Sequence, residues 1–219
     1  MNIISIKNVA LGLAFSATVF GAKAQNVITE GQASYSIAVG GQTANATTYF
    51  KGDTSSLAFQ RGPAQIKMVG TKGGEFFAVF LDVPVASMKK VAIGTPAEID
   101  EAQANEPQYA FTKTEETKKI GDFNCKKYVA KDTRDGSTYD LWITTDVTIP
   151  ANMITKFYSS LGGTPVLFTF LQNGNVKGAQ VVTLTAVTAT KVPANMFKVT
   201  ADYEKMTLTD MQNMGKGRQ

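Results

Sequence analysis

Hydrophobic and polar residues alternate along most of the chain, in short segments rich in β-branched and aromatic residues. The alternation is clear over residues 27–39, where Tyr35, Ile37 and Val39 fall on one face of an extended strand. Further strands are predicted at residues 47–52, 56–61, 65–69, 75–83, 123–130, 138–145, 166–171 and 181–190. The pattern therefore predicts a protein built mainly of β-strands.

Short turns join three pairs of these strands. The turns contain Gly73-Gly74, Asp135-Gly136 and Asn173-Gly174-Asn175, which are residue types that tight hairpin connections require. We therefore expect each pair to form an antiparallel hairpin.

Two segments break the alternation and predict helices. Residues 95–98 (Thr-Pro-Ala-Glu) form a capping box with proline at the first helical position, and this helix should end near Ala104. The second helix begins near Pro150, ends at Gly162-Gly163, and carries an apolar stripe of Met153, Ile154, Phe157 and Leu161. The polar tail from Thr207 to Gln219 is either a short helix docked through its methionines or a frayed end, and we expect the frayed end.

Two predicted strands are apolar on both faces. Residues 75–83 place Phe76 and Phe80 opposite Phe77, Val79 and Leu81, and residues 166–171 are similar. Both faces must be covered, by helices on one side and by curvature or a ligand on the other. The sequence predicts an α+β, mainly β fold, in which a curved antiparallel sheet wraps over short helices.

The first 24 residues resemble a cleavable export signal. Lys7 precedes an apolar run from Val9 to Ala22, and Ala22-Lys23-Ala24 matches a cleavage site after Ala24. The run is shorter than the ~20 residues of a membrane span. We expect no transmembrane anchor, a single domain over residues 25–219, and a periplasmic or secreted location.

Composition excludes several kinds of chemistry. The chain has no histidine and one cysteine, Cys125, so a Ser-His-Asp triad, a histidine-ligated metal and a cysteine-rich zinc site are ruled out. We expect no metal, no cofactor and no catalytic residues. Two of the 22 basic residues fall in the predicted leader, which lowers the net charge from +4 to +2, so nucleic acid is not expected as a partner.

The remaining polar candidates have simpler explanations. An unpaired cysteine in an oxidising compartment is expected to be buried. Aspartates at 132, 135 and 140 flank Gly136 without calcium-loop spacing, so we interpret them as turn residues. The pairs Lys89-Lys90, Lys118-Lys119 and Lys126-Lys127 lie apart in the sequence and are expected on solvated edges or turns.

Two segments resemble a known family. Residues 119–128 (KIGDFNCKKY) followed by residues 140–146 (DLWITTD) resemble an exported bacterial family known as domain of unknown function forty-four twelve. In that family an I-x-G-x-x-C-x-x-Y strand precedes a W-[IV]-T-x-D strand; here Gly121 falls one place early. Residues 163–167, 192–197 and 201–206 also agree, and the related GLPGLI group shares the G-x-P element. The resemblance implies a LolA/LolB-like half-barrel, an architecture that includes periplasmic lipoprotein carriers, and it implies no catalytic role.

Three hypotheses about function follow. The first is a non-enzymatic periplasmic carrier or binding protein for a lipid or a lipoprotein acyl chain. Its hydrophobic lining would consist of Phe76, Phe80, Met153, Phe157, Phe168 and Phe170. The alternative is a structural or interaction module that holds another protein of the bacterial envelope. A hydrolase acting through carboxylates alone ranks lowest, because Glu115 and Glu116 would point to opposite faces of a strand.

Overall fold

The computed structural model describes residues 26–171, 174, 178–193 and 195–216. The predicted leader, residues 1–24, lies outside this range, as do Asn173 and Asn175 of the third predicted turn. The strands are β1 (Asn26–Val27), β2 (Glu30–Val39), β3 (Gln42–Lys51), β4 (Thr54–Arg61), β5 (Ala64–Thr71), β6 (Phe77–Val83), β7 (Met88–Ile93), β8 (Tyr109–Ile120), β9 (Phe123–Asp132), β10 (Thr138–Thr144), β11 (Val147–Thr148), β12 (Thr164–Leu171), β13 (Ala179–Ala189) and β14 (Glu204–Met206). The helices are α1 (Pro96–Ala104), α2 (Leu208–Lys216) and two 3-10 helices, Pro84–Ala86 and Lys156–Leu161.

Twelve strands form one large sheet in the order β14-β7-β6-β5-β4-β3-β2-β13-β12-β10-β9-β8. Neighbouring strands are antiparallel except β14, which runs parallel to β7 at one edge. The short strands β1 and β11 form a separate parallel pair. The three predicted hairpins correspond to the antiparallel pairs β5–β6, β9–β10 and β12–β13. The predicted mainly β fold with a curved antiparallel sheet is confirmed, and the sheet is not closed into a barrel.

The curvature of the sheet follows from what the segment of residues 149–161 contacts. Met153, at one end of this segment, lies against Gly70 of β5: a methyl group on Gly70 would be 3.8 Å from Met153 Cε. Near the other end, the Tyr158 ring stacks on Tyr109 of β8 with centroids 5.7 Å apart. β5 and β8 are eight strand spacings apart, or about 38 Å in a flat sheet. Five residues extend at most about 18 Å, so even extended side chains would not bridge that width. The sheet therefore curls around this segment, and the face that the segment contacts is concave.

The main apolar cluster fills most of the concave face. It includes Tyr35, Phe50, Leu141, Phe168 and Leu184, each no more than 1% exposed, and Ile154 and Tyr158 cover it from the segment of residues 149–161. The predicted second helix is wrong in type: the region forms a turn followed by the 3-10 helix Lys156–Leu161. The predicted stop is present, since Gly162 adopts φ +69°, a left-handed conformation that favours glycine.

A second apolar cluster lies on the opposite, convex face. Its buried residues are Val69, Ala78, Phe80 and Val91, from β5, β6 and β7. Residues 196–206, which we call the C-terminal strap, cover this cluster with Phe197, Val199 and Tyr203 and then add β14 to the sheet edge. The Tyr203 ring meets Phe80 edge-to-face, with centroids 5.1 Å apart.

The helix α1 connects the two edges of the curved sheet. The predicted capping box is present: the Thr95 hydroxyl accepts a hydrogen bond from the Glu98 amide, and Glu98 accepts one from the Thr95 amide. The expectation of a frayed tail is wrong, because residues 208–216 form α2. Glu98 also accepts hydrogen bonds from the amide and hydroxyl of Thr209, and these bonds join α2 to α1. None of these helices is long and apolar enough to cross a membrane in the part of the chain that the structure describes.

Candidate functional site

The structure divides the six predicted lining residues between the two clusters. Phe76 and Phe80 belong to the convex cluster beneath the C-terminal strap. Met153, Phe157, Phe168 and Phe170 belong to the main cluster. The strand register explains the division. Cross-strand pairs through β5, β4 and β3 place Phe80 on the same face of the sheet as Ser34 of β2, and pairs through β13 place Phe168 on the same face as Ile37. Ser34 and Ile37 point to opposite faces of β2. The six residues therefore do not line one common surface.

Two of the six are enclosed by the protein's own side chains. Phe80 is 2% exposed and Phe168 is 1% exposed. Phe168 packs edge-to-face against Tyr158, and Phe80 packs against Tyr203 and below the ammonium of Lys67, which lies 4.1 Å from its ring centroid. Both rings fill the core, so neither is free to contact a ligand in this conformation.

An apolar surface that is partly exposed lies instead on the concave face of β4, β5 and β6. It is formed by Phe59, Ile66, Met68, Val79 and Leu81, which we call the concave apolar surface. Cross-strand pairing places these side chains together, since Ile66 pairs with both Phe59 and Leu81 and Met68 pairs with Val79. The five residues thus form a continuous patch two rows deep across three strands.

Burial changes sharply along the two rows that contain this patch. In one row, Tyr35 and Ala46 are 1% and 3% exposed, whereas their neighbours Phe59, Ile66 and Leu81 are partly exposed. In the other row, Leu57 on one side and Ala92 on the other are buried, whereas Met68 and Val79 between them are partly exposed. Met68 and Val79 therefore form a gap between two covered positions of their row. The row of Phe59, Ile66 and Leu81 is covered on the side of β2 and β3 and continues on the other side to Lys90, which is not buried. Phe59 and Met68 also pack against the edge of the main cluster.

The helix α1 connects β7, next to one edge of the sheet, with β8 at the other edge. Near its end, Gln103 lies against Gly74 in the β5–β6 turn, and the Asn105 carbonyl accepts a hydrogen bond from Arg134 Nη1, 2.7 Å away, in the β9–β10 turn. Glu106 forms an ion pair with Lys156. No residue of α1 itself is buried. These contacts hold the C-terminal end of α1, and the hydrogen bonds from Thr209 to Glu98 hold its N-terminal end.

A separate open groove of about 330 Å³ lies where β8 and β10 end and β9 begins, beside Leu161. We call it the lysine groove, because Lys118, Lys119 and Lys126 line it together with Thr117, Asn124, Cys125, Tyr128, Ile143, Thr145, Asp146 and Leu161. A smaller groove of about 210 Å³ runs between Lys72, Tyr158 and the loop at residues 148–151. None of the six predicted lining residues borders either groove.

Cys125 belongs to the main cluster and is 2% exposed, as the sequence predicts. Burial raises the pKa of its thiol to about 11, and the nearby carboxylate of Asp146 acts in the same direction. A thiol in this state is protonated at neutral pH and is a poor nucleophile. The geometry favours a structural role for this cysteine.

The aspartates around Gly136 all have partners within the fold. Asp132 is fully buried and accepts hydrogen bonds from the Arg134 guanidinium, which holds the pKa of its carboxyl below the usual range. Asp135 accepts a hydrogen bond from the Ser137 amide, and Asp140 forms an ion pair with Lys127. These contacts support the interpretation of the three residues as structural. Within the described ranges, no group of three or more acidic, cysteine or histidine residues is arranged to hold a metal ion.

Comparison with known proteins does not assign a family. No protein-family model and no curated protein matches the chain. Among solved structures, the chain is similar to PNGF-II in two crystal forms, with space groups C2 and P21, at 16% sequence identity and TM-scores of 0.49 and 0.48. The alignments cover 84% of this chain but 32% of PNGF-II, so the chain spans about a third of that protein. A similarity at this level does not assign a function, and membership of the family described above remains a prediction.

Sequence reasoning identified part of the concave apolar surface, the face of residues 75–83 that carries Val79 and Leu81, but missed Phe59, Ile66 and Met68. Residues 56–61 and 65–69 were predicted as strands, but their apolar residues match ordinary core positions. Only the cross-strand register shows that Phe59, Ile66 and Leu81 form one row, and only the covering segments decide which part of that row stays open.

Proposed function

We propose that this protein is a non-enzymatic carrier or binding protein of the bacterial envelope that holds a hydrophobic ligand, such as a lipid or an acyl chain, on its concave face. The observation that carries the proposal is the gap in burial at the concave apolar surface. An apolar patch inside a curved sheet is a preferred location for a hydrophobic ligand, because much of the ligand surface can be buried there.

The energetics suit a weakly held, exchangeable ligand. Burial of apolar area contributes about 25 cal/mol per Å², so covering roughly 300 Å² contributes about 7 kcal/mol. Part of this is offset by the loss of translational and rotational freedom on association. A carrier must release its ligand, and a half-open surface meets that requirement better than an enclosed cavity.

The uncharged fluorescent probe N-phenyl-1-naphthylamine tests the proposal directly. We expect the wild-type protein to enhance the fluorescence of the probe, and the double variant I66Q/L81Q to bind it at least fivefold more weakly, because two paired side chains of the concave apolar surface become polar. The variant V181Q is the matched control, since Val181 is an apolar residue that is 48% exposed on β13, outside this surface. Circular dichroism and urea unfolding show whether each variant retains its fold.

Native mass spectrometry of the protein purified from a bacterial periplasm identifies the natural ligand. A discrete lipid or acyl mass that is released by organic extraction and absent from I66Q/L81Q would support the proposal. Equal probe binding by wild type and I66Q/L81Q would place the ligand elsewhere. An apo mass with no uptake of probe or offered lipids would refute the carrier and favour the envelope interaction module.

A further inference from the structure

The three lysine pairs of the sequence have different surroundings in the folded protein. Lys89 and Lys90 form ion pairs with Asp202 and Glu204 of the C-terminal strap, at 2.9 Å and 2.8 Å. Lys127 forms ion pairs with Glu116 and Asp140, at 3.2 Å and 3.1 Å. These lysines are neutralised by partners within the fold. Lys118, Lys119 and Lys126 are not neutralised in this way.

The β8–β9 hairpin brings Lys119 and Lys126 onto one face. Lys126 pairs with Thr117, and Lys119 pairs with Asn124, two positions along each strand. Lys126 also pairs with Ile143 of β10, which places both lysines on the concave side of the sheet. Within the described residues, neither Lys119 nor Lys126 has a carboxylate within 4.0 Å of its ammonium.

The lysine groove combines these charges with an apolar floor. Ile143 is 3% exposed, and Tyr128 and Leu161 are partly buried beside it. Lys118 also borders the groove, and its ammonium lies 4.0 Å from the centroid of the Trp142 ring. A volume of about 330 Å³ is at the lower end of the range for small-molecule sites.

One carboxylate lies in the groove and reduces its positive charge. Asp146 borders the groove, and its Oδ2 accepts hydrogen bonds from the amide and the side chain of Asn124, at 2.7 Å and 2.9 Å. Lys119 and Lys126 against this one aspartate leave an excess of positive charge on the lining, while the Lys118 ammonium lies on the Trp142 ring. Asp122, in the hairpin turn, is exposed and does not line the groove.

From this arrangement we propose that the lysine groove binds a phosphate group, contacted by the ammonium groups of Lys119 and Lys126, with any attached alkyl chain lying on Ile143, Tyr128 and Leu161. Ammonium groups on flexible stems bind phosphate as point charges, without the fixed geometry of arginine. The phosphate belongs either to a free anion or to the headgroup of an amphiphile. This site is separate from the concave apolar surface and does not depend on the proposed carrier function.

Isothermal titration calorimetry with three probes tests the site. The probes are inorganic phosphate, dodecyl phosphate below its critical micelle concentration, and uncharged 1-lauroylglycerol. We expect the double variant K119Q/K126Q to bind the phosphate probes at least tenfold more weakly than wild type. The control K131Q/K198Q removes two exposed lysines outside the groove, one of them on the same strand as Lys126, and should change affinity less than twofold.

The outcomes separate the sources of the phosphate and the competing explanations. Binding of dodecyl phosphate that is tighter than that of both inorganic phosphate and 1-lauroylglycerol, and that is weakened in K119Q/K126Q, assigns the groove to an amphiphile headgroup. Equal binding of the two phosphate probes assigns it to a free anion. The proposal is overturned if wild type binds neither phosphate probe, or if both double variants lose affinity equally. It is also overturned if the protein binds phosphatidylglycerol vesicles but no monomeric phosphate, which would indicate a membrane-docking face. Binding of N-phenyl-1-naphthylamine by K119Q/K126Q should remain at the wild-type level whichever result is obtained, because that probe reports on the concave apolar surface.

Discussion

The two apolar clusters lie on opposite faces of the same sheet, yet they are built in different ways. The main cluster contains 18 buried residues drawn from most of the strands and from the segment of residues 149–161. The convex cluster contains four buried residues from three neighbouring strands, and the described residues that pack against it are Phe76, Ile93 and the strap's Phe197, Val199 and Tyr203. The first cluster therefore extends across the sheet from β4 to β9, whereas the second lies under one segment near the end of the chain. We expect the main cluster to set global stability and the convex cluster to set the local stability of the strap.

The largest expected effect is the loss of a ring from the main cluster. Phe168→Ala removes a side chain that is 1% exposed and contacts Tyr158 edge-to-face. Replacing a buried phenylalanine by alanine typically lowers the free energy of unfolding by about 3–5 kcal/mol. Urea unfolding followed by circular dichroism measures this loss. Phe168→Leu, which keeps most of the volume, should lose much less, and equal losses would show that the site is not tightly packed.

The next effect separates the two clusters. Tyr203→Ala removes the ring that covers Phe80 and should destabilise the strap by about 1–3 kcal/mol. Hydrogen exchange should then become faster over residues 196–206 and stay unchanged over β2, β12 and β13. Tyr203→Phe keeps the ring and is the matched control. Faster exchange across the whole sheet in Tyr203→Ala would show that the clusters unfold as one unit.

The reactivity of Cys125 provides a second measure of the difference in stability between the main cluster and the convex cluster. Its thiol belongs to the main cluster and has a pKa of about 11, so it should react slowly with Ellman's reagent at pH 8 in the folded protein. Phe168→Ala should accelerate the reaction, because opening of the main cluster exposes the thiol. Tyr203→Ala should leave the rate at the wild-type value. A fast reaction in the wild-type protein would contradict the burial of Cys125.

A smaller effect is expected at α1, which belongs to neither cluster. Thr95→Ala removes the hydroxyl that accepts a hydrogen bond from the Glu98 amide, and loss of such a cap costs about 1 kcal/mol. Hydrogen exchange over residues 96–104 measures the effect, and Thr95→Ser, which restores the hydroxyl, should recover most of it. If Thr95→Ala leaves this exchange unchanged, the contacts of Gln103 and Asn105 hold α1 without its cap.

The sequence predicts the strands, the hairpins and the α1 cap because each rests on local residue preferences. It does not predict which face each phenylalanine covers, since Phe80 and Phe168 differ in face only through a chain of cross-strand pairs from β6 to β12. The strap is not predicted for the same reason: Phe197 and Tyr203 pack against the convex cluster, including the Phe80–Tyr203 ring contact, across more than a hundred residues of sequence. The lysine groove also depends on pairing, because the β8–β9 register places Lys119 and Lys126 on one face. The candidate site is therefore a property of register and covering segments rather than of any motif.

The smallest expected effect concerns the junction between α1 and α2, where acid should loosen the C-terminal part of the chain before the main cluster opens. Hydrogen bonds from the Thr209 hydroxyl, and from the Thr95 and Thr209 amides, lower the pKa of Glu98 to about 2 from its usual 4.5. Because the folded-state pKa lies below the unfolded one, this contribution is complete above about pH 4.5 and is lost as the pH falls towards 2. In this pH window, hydrogen exchange over α2 should therefore become faster than over β2, a strand that takes no part in the junction between α1 and α2. Glu98→Gln should remove most of this pH dependence, and an unchanged profile in that variant would mean that another carboxylate, such as Asp202 in the strap, controls the acid response.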